Sequence, residues 1–60
     1  MFDIEDSDGS GRWVKRTSAA TLEEAIQEVE FLRTMHSRAF RITYKGNVVR
    51  EWAQADTVLT

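Results

Sequence analysis

The chain has 60 residues, a formal net charge of −2 at pH 7 and no cysteine. A chain of this length forms at most one domain, residues 1–60, and buries only about 60% of the surface that its unfolded form exposes, so a partner or a second copy would add useful burial. The lack of cysteine excludes disulfides and thiolate zinc sites, and no stretch has the pattern of a signal peptide or the length of a membrane span. We therefore expect one cytoplasmic domain.

The first part of the chain is typical of a β-hairpin. Phe2 and Ile4 alternate with acidic residues, which predicts a strand over about residues 1–6 with one buried face. Small residues at 7–11 predict a turn, and residues 12–17 predict the second strand. The turn does not match a calcium loop, because Ile4 and Lys15 stand where that loop needs acids, and it lacks the glycines and lysine of a phosphate-binding loop.

Residues 22–36 predict a single amphipathic helix. Thr21 and Glu24 have the spacing of a capping box, in which each side chain accepts a hydrogen bond from the other residue's backbone N–H. At roughly 100° per residue, most apolar residues fall in one stripe that predicts the core-facing side. The stripe consists of Leu22, Ala25, Ile26, Val29 and Leu32. Phe31 and Met35 fall on the opposite side, where a one-sided helix should not carry them.

The remaining residues predict a second hairpin, with strands at about 39–45 and 48–53 and a tail at 54–60. A three-residue loop with a glycine bulge would place Val48 and Trp52 beside Ile42, whereas a two-residue turn would place Val49 there. We favour the bulged loop because it buries the Trp52 indole. The whole order predicts an α+β fold, ββαββ, in which a four-stranded antiparallel sheet has one face covered by the helix and the other open.

Catalysis is not indicated by any group of residues. His36 is the one histidine, and its place near the helix C-terminus predicts a structural role there. Glu24 and Glu28 lie on a solvated helix face that would not raise a carboxyl pKa for acid catalysis. We expect a protein that is not an enzyme and that has no cofactor and no metal.

The outer side of the helix is the first candidate binding surface. Phe31 and Met35 are neighbours at a spacing of four, and an aromatic ring beside a flexible thioether is a common composition for a partner-binding patch. The structural alternative is that Val58 and Leu59 of the tail cover the ring. Gln27 and Glu28 would border the patch.

Our leading hypothesis is a non-enzymatic protein-binding domain that occupies a surface of a larger partner or associates with itself as a homodimer. Clustered carboxylates near the start of the chain also suit an acidic inhibitor of a nucleic-acid-handling enzyme. The candidate contact residues are Phe31, Met35, Gln27, Glu28, Asp3, Glu5 and Asp6.

The alternative is a single-stranded nucleic-acid-binding module that uses the open sheet face. Aromatic rings between basic residues on an exposed sheet stack bases and neutralise phosphates. The residues for this function are Trp13 or Trp52 with Arg12, Lys15, Arg41 and Arg50. The same residues are also compatible with ordinary cation–π pairs, and the charge distribution favours neutralisation of neighbouring acids over a basic binding face.

Overall fold

The computed structural model describes residues 1–54 and confirms the ββαββ order. The elements are β1 (Phe2–Ser7), β2 (Val14–Ala19), α1 (Leu22–Met35), β3 (Ala39–Tyr44) and β4 (Asn47–Trp52). The strands form one antiparallel sheet in the order β2-β1-β3-β4. The predicted element boundaries agree with these to within two residues. The alternative in which Val58 and Leu59 cover Phe31 involves residues outside the described part of the chain.

The core lies between the helix and the two central strands. Its fully buried side chains are Ile4, Ala25, Val29, Phe40 and Ile42. Helix α1 packs against β1, β2 and β3, and among the described elements it leaves β4 uncovered. Strand β4 is thus an edge strand whose Val48 and Val49 are exposed.

Most of the predicted apolar stripe of α1 faces the core. Ala25 and Val29 are fully buried, and Ile26 and Leu32 pack against the core at its margin. Leu22, the first residue of the helix, is exposed instead. The helix ends at Met35, and His36 caps it through its backbone N–H, which donates to the Leu32 carbonyl at 2.9 Å.

The start of the helix has the predicted cap. The Thr21 hydroxyl accepts a hydrogen bond from the Glu24 backbone N–H at 3.1 Å, which is one of the two bonds of the capping box. We expect Thr21→Ala to lower the free energy of unfolding by about 1 kcal/mol, since the alanine leaves that N–H without its acceptor. Thr21→Ser keeps the hydroxyl and should change it much less. Urea denaturation of the two variants measures the difference, and an equal loss in both would contradict a capping role.

The predicted start of β2 was wrong by two residues. The strand begins at Val14, so Trp13 belongs to the preceding loop. A bulge also interrupts the pairing of β2 with β1: Ile4 pairs with Thr17 and Glu5 pairs with Lys15, which leaves Arg16 as the extra residue. A bulge cannot be read from alternation alone, because it changes the phase of the strand partway along.

The predicted three-residue loop of the second hairpin was also wrong. The turn has two residues, Lys45 and Gly46, both with positive φ (52° and 83°), as in type I′ hairpin turns. A bulge at Val49 then places Arg50 opposite Ile42, where we had expected either Val48 or Val49. Trp52 lies opposite Phe40 and packs against the core, so its predicted burial is correct in part.

The helix of residues 1–54 is too short and too polar to cross a membrane.

Candidate interaction surfaces

The outer face of α1 is an exposed apolar patch with acidic neighbours. Phe31 is 60% exposed and Met35 is 59% exposed. Gln27 and Glu28 are exposed on the turns before them. The helical repeat places the fully buried Ala25 and Val29 on the other side, so burying those residues turns Phe31 and Met35 outward. The structure therefore brings together four of the seven predicted contact residues.

The open face of the sheet has alternating charges that pair with one another. Glu5 lies opposite Arg41 on β3, and Arg41 Nε donates to Glu5 Oε1 at 2.6 Å. Lys15 Nζ lies 3.5 Å from Asp3 Oδ1. The indole of Trp13 packs under the Arg41 guanidinium, 4.3 Å from ring centroid to Cζ. Of the four cations predicted to meet phosphates, Lys15 and Arg41 are thus held by carboxylates, and one ring face of Trp13 is covered.

Arg50 does not lie with these residues. It is opposite Ile42, on the helix side of the sheet, and its guanidinium is 5.4 Å from the Trp52 ring. The predicted nucleic-acid face is therefore divided between the two sides of the sheet, with Trp13, Lys15 and Arg41 on one side and Arg50 on the other.

The three acids predicted to act together are divided in the same way. Asp3 and Glu5 belong to the open face, whereas Asp6 points to the helix side and its side chain is 3% exposed. Asp6 Oδ2 accepts from Arg16 Nε at 2.8 Å, and Asp6 Oδ1 is buried without a hydrogen-bond partner in residues 1–54. Each acid has a basic neighbour, so the three do not form one anionic surface.

His36 is exposed and shares a hollow of about 120 Å³ with Asp6, Arg16, Leu32 and Arg38. Asp6 is already bonded to Arg16 there. In residues 1–54, no group of three or more histidine, aspartate or glutamate side chains is arranged to hold a metal ion. The hollow therefore offers no assembled set of metal ligands within this part of the chain.

A larger cleft was missed by the sequence reasoning. It has a volume of about 480 Å³ and lies at the end of the sheet where the β1–β2 loop meets the residues before β3. Asp8, Arg12, Val14 and Arg38 line it, and Asp6 also contributes to its wall. The loop residues had been interpreted only as a turn, and the alternation pattern does not reveal that Arg38 lies beside them.

Hydrogen bonds within the loop favour the ionised form of Asp8. The Ser10 side chain and then its backbone N–H, which donates to Asp8 Oδ1 at 3.0 Å, lower the pKa of Asp8 from its usual value of 3.8. The nearby Arg38 charge adds a smaller effect in the same direction. At neutral pH the cleft therefore presents a carboxylate as well as guanidinium groups.

Comparison with protein-family models, curated proteins and solved structures found no significant match.

Proposed function

We propose that this protein is a non-enzymatic protein-binding domain that docks on a larger partner through the outer face of α1. The observation that carries the proposal is the exposure of Phe31 and Met35, 60% and 59%, side by side on a helix whose other face fills the core. A helix that presents apolar residues at a spacing of four fits a hydrophobic groove in a partner. Exposed aromatic and methionine side chains are enriched in such interfaces.

The charges around the patch indicate the chemistry of the partner. Glu23, Glu24, Glu28 and Glu30 are all exposed on the same helix, and the one basic residue in its last turn, Arg33, is 3.8 Å from Glu30. A partner with an apolar groove and a basic rim would complement this face. A second copy of the chain would instead bring glutamates against glutamates, which disfavours a homodimer through this surface. An acidic inhibitor of a nucleic-acid-handling enzyme is one form that such binding would take.

Site-specific crosslinking tests the proposal. A photoreactive phenylalanine at position 27, beside the patch, should crosslink a partner protein in cells that express the chain, whereas the same group at position 49 on β4 should not. Excess purified wild-type protein should compete for the crosslink. Phe31→Asp should compete at least about 30-fold less well, since a central interface aromatic typically contributes about 2 kcal/mol or more. Circular dichroism must show that Phe31→Asp is folded.

Four results would overturn the proposal. Crosslinking that is equal at positions 27 and 49, or competition that survives Phe31→Asp, would show that the patch is not the docking surface. A dimer in light scattering that Phe31→Asp dissociates would make a second copy the occupant. Salt-sensitive quenching of tryptophan fluorescence by a single-stranded oligonucleotide, with no protein crosslink, would favour nucleic-acid binding.

A further inference from the structure

The cleft at the loop end of the sheet has the volume of a small-molecule site and is lined by side chains of both charges. Its volume of about 480 Å³ lies within the usual range for ligand pockets, about 300–1,000 Å³. Within residues 1–54, neither Arg12 nor Arg38 forms an ion pair with a carboxylate, unlike the four basic residues that do. Two guanidinium groups are therefore available to an anionic group in this cleft.

The two carboxylates of the cleft differ in burial and in ion pairing. Asp6 is buried and bonded to Arg16, so its charge is already balanced. Asp8 is exposed and lies near enough to Arg38 to be influenced by its charge, yet the two form no ion pair. The Asp8 carboxylate and the Arg38 guanidinium thus line the same cleft without forming an ion pair. A ligand that carries both a positive and a negative group can therefore contact both of them.

Hydrogen bonds between side chains and backbone groups form in both segments next to the cleft, the β1–β2 loop and the residues before β3. Gly9 N–H donates to Ser7 Oγ at 3.2 Å, and Gln54 Nε2 donates to the Ser37 carbonyl at 3.1 Å. A Cβ on Gly9 would lie 3.3 Å from Gln54 Oε1, so the loop passes close to the Gln54 side chain. Gln54 is thus hydrogen-bonded to the segment that carries Arg38 and lies close to the loop that carries Asp8.

We propose that this cleft binds a free α-amino acid with an apolar side chain. The ligand's carboxylate contacts Arg12 and Arg38, because a guanidinium donates paired hydrogen bonds to a carboxylate. Its ammonium contacts Asp8. Its side chain lies against Val14, which is exposed on the cleft wall. This binding is independent of the helix patch, so either site can exist without the other.

Titrations followed by amide NMR test the proposal with three matched probes. L-Leucine carries both charges, 4-methylpentanoate lacks the ammonium, and 3-methylbutylamine lacks the carboxylate. We expect saturable shifts at Asp8, Arg12 and Arg38 with L-leucine, and binding at least tenfold weaker for each of the other two probes. Equal affinity of 4-methylpentanoate and L-leucine would overturn the proposal by showing a simple anion site, and so would the lack of saturable shifts with L-leucine.

Charge-removing variants give a second, sign-dependent readout. Arg38→Gln should weaken L-leucine and 4-methylpentanoate binding at least tenfold. Asp8→Asn should weaken L-leucine binding at least tenfold yet leave 4-methylpentanoate binding unchanged or tighter, because it removes a charge that repels the carboxylate. Arg33→Gln, on the helix, is the matched control and should change neither. Equal effects of Asp8→Asn on both probes would contradict the assigned orientation and overturn the zwitterion site.

Discussion

Phe40→Ala is expected to lower the free energy of unfolding by about 3–5 kcal/mol, the largest loss from any single substitution considered for this protein. The ring is fully buried in the same core cluster as Ile4 and Ile42, at a position of β3 that pairs with Asp6 on β1 and Trp52 on β4. Truncating a buried phenylalanine to alanine costs about 3–5 kcal/mol, through lost burial and the cavity that remains. A 60-residue domain has a free energy of unfolding of only about 3–9 kcal/mol, at roughly 0.05–0.15 kcal/mol per residue. The substitution therefore removes a large part of the stability.

Phe31→Ala is the matched control, because it deletes the same ring from an exposed position. It should change the free energy of unfolding by no more than about 0.5 kcal/mol. Far-UV circular dichroism during urea denaturation measures both variants. Ile42→Val, a smaller change in the same core that should cost about 0.5–1.5 kcal/mol, gives a measurable transition if Phe40→Ala does not fold. Similar losses from Phe40→Ala and Phe31→Ala would contradict this assignment of inside and outside.

The elements of the fold follow from local patterns, which is why they could be predicted. Phe40 and Ile42 are two apart on a strand and both are buried, and Ala25 and Val29 are four apart on a helix and both are buried. The bulges at Arg16 and Val49 could not be predicted, because each depends on how two strands pair. A single bulge is enough to change which residue faces the core, and it placed Arg50 where a valine was expected.

The candidate surfaces also differ in whether they depend on local sequence patterns or on contacts between distant residues. The outward position of Phe31 and Met35 depends only on the helical repeat, so it could be read from their spacing. The pairing of Arg41 with Glu5 and Trp13 depends on β1 lying next to β3, and the cleft depends on Arg38 lying near Asp8. These contacts join residues about 30 or more positions apart in the chain, which alternation and helical spacing do not report.

The ion pair between Arg41 and Glu5 on the open sheet face is partly buried. Arg41 and Glu5 are only 26% and 21% exposed, although the helix lies on the other side of the sheet. The Trp13 indole covers the guanidinium, so this ion pair is partly shielded from water by a residue of the preceding loop. Such shielding strengthens a hydrogen-bonded pair relative to one that is fully solvated. The face is thus organised by contacts within the chain.

Arg16→Gln is expected to lower the free energy of unfolding by about 2–3 kcal/mol. The substitution removes the guanidinium that donates to Asp6 Oδ2 at 2.8 Å, while Asp6 Oδ1 already lacks a partner in residues 1–54. A carboxylate whose side chain is 3% exposed would then be buried with neither oxygen bonded to the charge that balances it. Removing one partner of a buried ion pair typically lowers the free energy of unfolding by about 3–5 kcal/mol. We expect a smaller loss here because the Arg16 side chain is 45% exposed.

A second substitution in the same pair separates this cause from a general loss of packing. Asp6→Asn removes the buried charge with almost no change of shape, so adding it to Arg16→Gln should recover at least about half of the lost stability. Arg33→Gln, which breaks the exposed 3.8 Å pair with Glu30, should change stability by no more than about 0.5 kcal/mol. Urea denaturation of the wild type, the two single variants of the pair, the double variant and Arg33→Gln measures the coupling energy between positions 6 and 16. If the double variant is less stable than Arg16→Gln alone, the unbalanced charge of Asp6 is not what destabilises the single variant.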